Sequence, residues 1–227
     1  MFQPANVRLF HITAIANLPA ICRGGALVSK NGGAAAGVAY QNIAHSGAQG
    51  ARAARRVPHP PGGLVHDFVP FYFAPRSPML SAIHNGKVAG CSLRQEDIVH
   101  LETTVARATM DGNDYVFYDR NATLAFSAPY TDLTQLEDAI AWDLLTEPPC
   151  LDGFCKYFMN KHVPERYADR MERRQAEFLV RARVPLTHFV RVGVCTAAKA
   201  VEVRAILDSV GVALQAEVIP DWYFLGQ

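Results

Sequence analysis

The segment "ERRQAEFLVRARV", residues 172–184, contains the strand around which the predicted fold is arranged. From residue 176 to residue 184 it is typical of a half-buried β-strand. Glu177 stands at the head of this strand, directly before the apolar run Phe178, Leu179 and Val180. Because burying an unpaired carboxylate is costly, two interpretations are open. Either the strand only begins at Glu177 and the side chain stays in water, or the carboxylate points into a functional site.

Strand and helix patterns surround this segment along the whole chain. Aromatic and β-branched residues predict further strands over residues 7–13, 68–73, 97–105, 115–120, 189–196 and 213–224. Pro70 places the second of these at a sheet edge or a bend. Apolar spacing, caps and glycine stops predict helices over about 17–23, 43–58, 132–145 and 197–211, with residues 157–174 helical in part. Gly and Ala dominate residues 29–42 and predict a mobile loop. The pattern predicts one mixed α+β domain over residues 1–227.

The charges are distributed unevenly. Residues 1–66 contain no Asp or Glu but six basic side chains, whereas the rest of the chain has 16 basic and 21 acidic ones, although the net charge is only +1. Arg52, Arg55 and Arg56 share one side of the predicted helix because of their i, i+3 and i+4 spacing. This distribution favours a surface that meets a polyanion, such as a dinucleotide or a nucleic-acid backbone. Chance in a weakly charged, Ala/Gly-rich segment is the alternative.

Cysteine usage and hydropathy bear on the cellular compartment. The five cysteines form no CxxC motif, and no histidine lies at zinc-ligand spacing near Cys150 and Cys155, so we expect reduced thiols and no metal site. No apolar run has the length of a transmembrane helix, and the N-terminal segment lacks the ordered regions of a signal peptide. These features predict a cytoplasmic protein without a membrane partner.

Four blocks of the sequence, in order, resemble the successive signatures of the DarT family. They are "LFHIT", "NLPAICRGGAL", "IAHSGAQGARAARRVPHPPGGLVHDFVPFYFAPRSPML" and "RRQAEFLV". The part of the third block that reads "PPGGLVHDFVPFYFAPRSPML" is long and unusual, and it is far more specific than any short motif. DarT proteins are toxins that use NAD to ADP-ribosylate bases of single-stranded DNA. The resemblance implies a fold related to poly(ADP-ribose) polymerases: two packed, split β-sheets with surrounding helices and a central NAD cleft.

The resemblance also implies where NAD and DNA bind. By matching position, His11, Ile12 and Thr13 hold the nicotinamide-ribose end of NAD, which is a substrate, and no metal is required. Ala20 and Val28 line the same pocket. Residues 34–54 form a loop–helix element over the dinucleotide, and residues 113–177 include the turn–turn loop that presents DNA. Without the resemblance, a packed strand histidine is the usual interpretation of a lone histidine such as His11.

The family assigns the chemistry to the positions of Arg52 and Glu177. Loss of nicotinamide leaves a positive, oxocarbenium-like sugar, which a nearby carboxylate stabilises. Glu177 is suited to this role. The family account makes the arginine a proton acceptor, but a guanidinium with a pKa above about 12 is a poor base. We therefore expect Arg52 to stabilise the developing base anion and to pair with NAD phosphate or DNA, while the proton leaves to water or another group.

Further basic and aromatic residues are candidates for DNA binding. Arg55, Arg56, Arg76 and the rings of residues 71–73, Tyr72 among them, have the chemistry to grip a single strand, since bases stack on aromatic faces. Packing of these rings in the core is the alternative. The resemblance implies a further DNA contact at Asn121, a position where many relatives carry histidine.

The predicted function is transfer of ADP-ribose from NAD to a base, most readily thymidine, in single-stranded DNA. Alternatives are guanosine as the target, modification of protein or RNA, hydrolysis of NAD alone, or a catalytically silent binding module. A ring nitrogen used in base pairing is hidden in a duplex, which favours single strands as substrate. The modified base would block replication, so the resemblance implies toxicity and a macrodomain antitoxin, DarG, as partner. The target base and the oligomeric state stay open from sequence.

Overall fold

An eight-stranded mixed sheet runs through the structure, a computed structural model that describes residues 2–225. The strands in chain order are β1 (Arg8–Ala14), β2 (Ala26–Val28), β3 (Phe68–Tyr72), β4 (Ile98–Thr104), β5 (Tyr115–Tyr118), β6 (Pro129–Tyr130), β7 (Cys150–Leu151), β8 (Phe154–Cys155), β9 (Glu177–Arg181), β10 (Arg183–Pro185), β11 (Arg191–Val194) and β12 (Ala216–Val218). The order across the sheet is β12-β11-β4-β1-β3-β9-β5-β6, with only β11 and β12 parallel. Two short two-stranded antiparallel sheets, β10 with β2 and β7 with β8, lie outside it.

Short helices surround the sheet. They are α1 (Leu18–Arg23), α2 (Lys30–Ala35), α3 (Ser46–Ala54), α4 (Pro78–His84), α5 (Val105–Ala108), α6 (Leu136–Ala139), α7 (Trp142–Thr146), α8 (Arg170–Arg173) and α9 (Ala197–Ser209). The longest, α9, begins after Thr196, whose side chain accepts a hydrogen bond from the Lys199 amide. Within residues 2–225, none of the helices has both the length and the apolar character needed to cross a membrane.

The sheet is nearly split between β1 and β3. These two strands share a single register pair, Phe10 with Tyr72, whereas β1 pairs with β4 at seven positions. Pro70 of β3 lacks an N–H to offer to β1. Instead, the His11 ring approaches the Pro70 carbonyl, with Nδ1 2.8 Å from the oxygen. The predicted split sheets are therefore two four-stranded halves joined at one point, and the predicted bend at Pro70 lies at this junction rather than at the sheet's outer edge.

Strand β9 separates two apolar layers. Phe178 and Val180 face the main core, where the Phe178 ring stacks on Tyr115 with 5.3 Å between ring centroids. Leu179 points to the opposite face, into a smaller cluster that also contains Val57, Val65, Phe68, Val116, Tyr118 and Ala122. Because side chains alternate along a strand, Glu177 lies on the same face as Leu179. The carboxylate is thus directed away from the main core.

Several local predictions differ from the structure. The helix predicted over residues 43–58 ends at Ala54, so Arg55 and Arg56 lie beyond it and do not share a helix side with Arg52. The Gly/Ala-rich loop contains α2, which the Ser29 hydroxyl caps by accepting from the Gly32 amide. The helix predicted over residues 132–145 breaks at Ile140, whose extended backbone (φ −97°, ψ 132°) separates α6 from α7. The last strand covers only Ala216–Val218, after which the chain turns so that Trp222 is buried. Propensity alone does not place these breaks, since tertiary packing overrides it.

Candidate active site

A cavity of about 400 Å³ opens at the junction of the two sheet halves. Eight of the predicted site residues line it: His11, Ile12, Thr13, Val28, Arg52, Tyr72, Asn121 and Glu177. They come from β1, β2, α3, β3, the loop after β5, and β9. Residues more than 160 positions apart in the sequence therefore meet at one site, and its size suits a small-molecule ligand.

Arg52 and Glu177 form an ion pair in the wall of this cavity. Arg52 Nη1 lies 2.8 Å from Glu177 Oε1 and 3.0 Å from Oε2, so one nitrogen donates to both carboxylate oxygens. The Glu177 side chain is 2% exposed and that of Arg52 is 12% exposed. This arrangement answers the question raised by the sequence, because the buried carboxylate is paired with a cation rather than left alone.

The neighbours of Glu177 hold it in place. Its backbone pairs with Tyr72 on β3 and with Tyr118 on β5. Its Oε2 also accepts a hydrogen bond of 3.3 Å from the Ala122 amide. Burial, and then the nearby Glu177 charge, raise the pKa of the Tyr72 phenol well above its usual range. Tyr72 is therefore a neutral group beside the carboxylate.

His11 is neutral in this site. Burial, together with the Arg52 charge, lowers the pKa of His11 to about 4, against the opposing effect of the hydrogen bond to Pro70. Since the Pro70 carbonyl can only accept, Nδ1 of His11 must carry the hydrogen. In the neutral ring Nε2 then has a free lone pair, which makes His11 a hydrogen-bond acceptor on the cavity side.

Residues 38–49 are connected to strand β1 through hydrogen bonds of the Asn17 side chain. Asn17 donates to the Thr13 hydroxyl and to the Gln41 carbonyl, each at 3.0 Å, and accepts from the Gln41 amide at 2.6 Å. Farther along, Lys30 donates to the Gln49 side chain at 2.7 Å. These bonds hold residues 38–49, many of which line the cavity, in place beside β1.

Sequence reasoning missed several residues of the site. Asn17, Lys30 and His66 line the cavity, as do Tyr40, Gln41 and Gln49, which lie in the predicted element of residues 34–54 but were not named individually. Burial lowers the pKa of His66, as do the charges of Lys30 and Arg52, so its ring is also neutral at pH 7. The sequence did mark the position of Asn17, because a helix was expected to start there. The others lie in segments whose conformation the sequence does not determine.

The predicted DNA contacts differ in their positions. Tyr72 and Asn121 line the cavity. Arg55 donates to the carbonyls of Ala122 and Leu124, and Arg56 is exposed beside it. These four residues lie within or next to the site, and their role in binding DNA stays a prediction.

Two predicted positions do not fit the site. Arg76 is completely buried, with its guanidinium 4.6 Å from the centroid of the Phe224 ring. Its prediction as a DNA contact is wrong, because it offers no surface to a strand; its place is in the packing of the C-terminal segment. Ala20 does not line the cavity, whereas the next residue of α1, Ile21, does. The helix turns the Ala20 side chain away from the pocket.

Among residues 2–225, no cluster of His, Cys, Asp and Glu is arranged to hold a metal ion.

Comparison with known proteins identifies the class and then the family. The fold matches solved ADP-ribosyltransferases. A structure of Thermus sp. 2.9 DarT in complex with ADP-ribosylated ssDNA superposes with a TM-score of 0.84 at 31% identity, covering 99% of each chain. The same protein in complex with NAD+ gives a TM-score of 0.81 at 30% identity, covering 98% of this chain and 100% of the other. This chain therefore has the α+β ADP-ribosyltransferase fold that was predicted.

The sequence comparisons agree with the structural ones. The family model of DarT, described as ssDNA thymidine ADP-ribosyltransferase, matches residues 10–224. A DNA ADP-ribosyl transferase of Thermus sp. (strain 2.9) is 34% identical over 97% of this chain and 98% of its own length. The chain belongs to the DarT family. Its predicted enzyme class, NAD-dependent ADP-ribosylation of DNA, is confirmed.

Proposed function

We propose that this chain transfers the ADP-ribose unit of NAD to thymidine in single-stranded DNA and releases nicotinamide. The observation that carries the proposal is the buried Glu177 carboxylate, held in the wall of a cavity at the sheet junction by Arg52. The description of the family and the ligands of the Thermus structures support the same reaction.

Glu177 stabilises the positive sugar that forms when the bond to nicotinamide breaks. Its carboxylate is preorganised, because Ala122 and Arg52 already bind it and its strand is anchored in the core. A preorganised charge in a water-poor site stabilises a transition state more than the same charge in water does. A hydrogen bond from a ribose hydroxyl to the same carboxylate would hold the sugar in place.

Arg52 acts on the acceptor base. A thymine ring nitrogen becomes nucleophilic when its proton leaves to water or another group, and the guanidinium of Arg52 stabilises the resulting anion. Within the described residues, the hydrogen bonds of Arg52 to protein all run from Nη1. Its Nε and Nη2 donors are thus left for a base or an NAD phosphate. An arginine paired with a carboxylate keeps its charge, which favours this electrostatic role over that of a proton acceptor.

Two segments position the substrates within a single domain spanning residues 1–227. Residues 34–54 cover the dinucleotide, which is supported by the bonds of Asn17 to Gln41 and of Lys30 to Gln49. His11, Ile12, Thr13 and Val28 bind the nicotinamide-ribose end from the opposite wall. Residues 113–177 present the DNA, which is supported by Asn121 and Thr123 in the cavity lining.

The biological role follows from the chemistry. A base modified on its pairing edge cannot direct replication, so the enzyme acts as a toxin in the cytoplasm, where single-stranded DNA and NAD occur together. A cell that carries such an enzyme needs an activity that removes the adduct. Family membership supports a DarG-type macrodomain antitoxin as this partner.

The proposal is tested with purified protein, NAD and a random pool of single-stranded oligonucleotides. Mass spectrometry should show DNA heavier by one ADP-ribose, and nuclease digestion should assign the adduct to thymidine. An adduct on guanosine would show that guanosine, and not thymidine, is the target base. Labelling of protein or RNA alone, nicotinamide release without any adduct, or no release at all would each contradict the proposed reaction.

A further inference from the structure

Phe126 is a large aromatic side chain that the fold leaves exposed beside the site. It lies on the loop of residues 119–128 between β5 and β6, and it is 65% exposed. Two other residues of this loop, Asn121 and Thr123, line the cavity. A single exposed apolar residue needs no explanation in general, but one on a loop that forms a wall of the active site calls for a specific account.

The loop is held firmly against the catalytic pair. The Ala122 amide donates to Glu177, and Arg55 Nε donates to the Ala122 carbonyl at 3.1 Å. At the far end, the Ser127 amide donates to the Leu124 carbonyl at 3.2 Å, which places Phe126 within a tight turn. The ring is therefore presented by a preformed backbone rather than by a loose one.

The reach of the chain places Phe126 near any DNA that reacts. Phe126 is the fourth residue after Ala122, which contacts the carboxylate, and an extended chain spans at most about 3.3–3.6 Å per residue. The Phe126 backbone thus lies within about 14 Å of that contact. One strand of stacked nucleotides rises about 3.4 Å per nucleotide. When the acceptor base is at Glu177, a nucleotide a few positions away lies within reach of the ring.

Arginines lie on and beside this loop, and they differ in whether a carboxylate neutralises them. The Arg120 guanidinium lies 5.6 Å from the Phe126 ring centroid, and its ion pairs with Asp119 and Asp169 hold it there. Arg55 hydrogen-bonds only to backbone carbonyls within the described chain, so no carboxylate neutralises it. Arg56, next to it, is exposed. The exposed ring thus lies two residues from Leu124, whose carbonyl binds the un-neutralised Arg55. An aromatic face with a cation nearby is the combination that binds single strands.

We propose that Phe126 is a stacking platform for a base that flanks the acceptor thymidine, with Arg55 and Arg56 beside it to attract the phosphates. The inference rests on the proposed function. Stacking uses the face of the base, so the platform accepts any flanking base but requires one that is unpaired and splayed from its neighbours. Phe126 would then select single strands over duplexes.

The test is a steady-state analysis of full-length variants on a thymidine-containing single-stranded oligonucleotide. Stacking contributes about 1–3 kcal/mol per base, so Phe126→Ala should raise KM for the oligonucleotide about 5- to 150-fold at 1.4 kcal/mol per factor of ten. The kcat at saturating DNA should change little. Phe126→Trp should restore a low KM, and Phe126→Leu should not, because leucine is apolar but has no π-face.

A second measurement isolates the contact itself. Oligonucleotides with one abasic position on either side of the thymidine should bind the wild type more weakly at the stacked position, and Phe126→Ala should lose this difference. Met110→Ala is the matched control, since Met110 is also 65% exposed but precedes β5 instead of following it. An unchanged KM for Phe126→Ala, full rescue by leucine, or an abasic effect that persists in Phe126→Ala would overturn the inference. If the wild type modifies no oligonucleotide, the proposed function itself fails and the inference fails with it.

Discussion

Replacing Arg52 separates the contribution of its charge from that of its planar, forked head group. Removing one partner of a fully buried ion pair costs about 3–5 kcal/mol. Arg52 is 12% exposed and faces the cavity, so water can reach the carboxylate that Arg52→Ala leaves behind. We therefore expect a loss of about 1–3 kcal/mol, the range for one unsatisfied buried group. For a chain of this length that corresponds to a fall in Tm of about 2–12 °C.

Arg52→Lys should behave differently. A lysine ammonium can still pair with Glu177, and we expect a Tm within about 3 °C of wild type. It offers no second arm for a base or a phosphate, because the fork of arginine is lost. ADP-ribose transfer should therefore fall at least about tenfold in the lysine variant and at least about 100-fold in the alanine variant, by comparison with other preorganised donors.

Thermal unfolding and oligonucleotide mass spectrometry measure the two effects on the same preparations. Arg204→Lys is the control, since Arg204 is exposed on α9, outside the cavity. If Arg52→Lys kept nearly full activity, a point charge would suffice and the fork would be irrelevant. If Arg52→Ala kept the wild-type Tm, the pair with Glu177 would not exist in solution.

Three further predictions concern the scaffold. The pKa of His11 is about 4 in the folded chain and about 6.5 in the unfolded chain, so the unfolded chain binds more protons between these pH values. Thermal melts should therefore show the free energy of unfolding falling as the pH is lowered from 6.5 to 4, and falling less steeply for His11→Asn. Ala182 has φ +62°, in the left-handed region that favours glycine. Ala182→Gly should therefore be neutral or slightly stabilising in such melts, whereas Ala182→Val should lower the free energy of unfolding by more than about 1 kcal/mol. At Gly193 an added Cβ would lie 2.1 Å from the Trp222 ring, so Gly193→Ala should lower the free energy of unfolding by about 1–3 kcal/mol. Gly50→Ala is the control, because a Cβ at Gly50 on α3 meets open space and should not lower the free energy of unfolding.

Strands were easier to predict than the irregular segments around them. Strand β1 and strand β9 have strong local patterns, and both were found close to their expected positions. The break at Ile140 and the short helix α2 depend on packing and on the Ser29 cap, which an amphipathic or glycine-rich pattern does not reveal. Pro70 correctly marked an interruption of the sheet, but only the pairing shows that it divides two halves.

The site was predictable where the family motifs named residues. Arg52 and Glu177 are 125 positions apart, and no periodicity connects them; only the resemblance linked the two. Arg76 shows the limit of reasoning from residue type, because a basic side chain among aromatic residues is equally suited to DNA and to a buried packing role. Asn17 joins the cavity through hydrogen bonds to a distant loop, and pattern reasoning does not see such bonds.

The most direct test of the account compares nicotinamide release by wild type and Glu177→Gln at saturating NAD and single-stranded DNA. Glutamine keeps the shape and the hydrogen-bonding oxygen but removes the negative charge that is proposed to stabilise the sugar cation. NAD affinity, measured by calorimetry, should change by no more than a few fold, while the release rate should fall about 100- to 1,000-fold. Glu137→Gln, at an exposed position on α6, controls for a general effect. A Glu177→Gln variant that binds NAD and releases nicotinamide at the wild-type rate would contradict the central claim that this carboxylate drives the reaction.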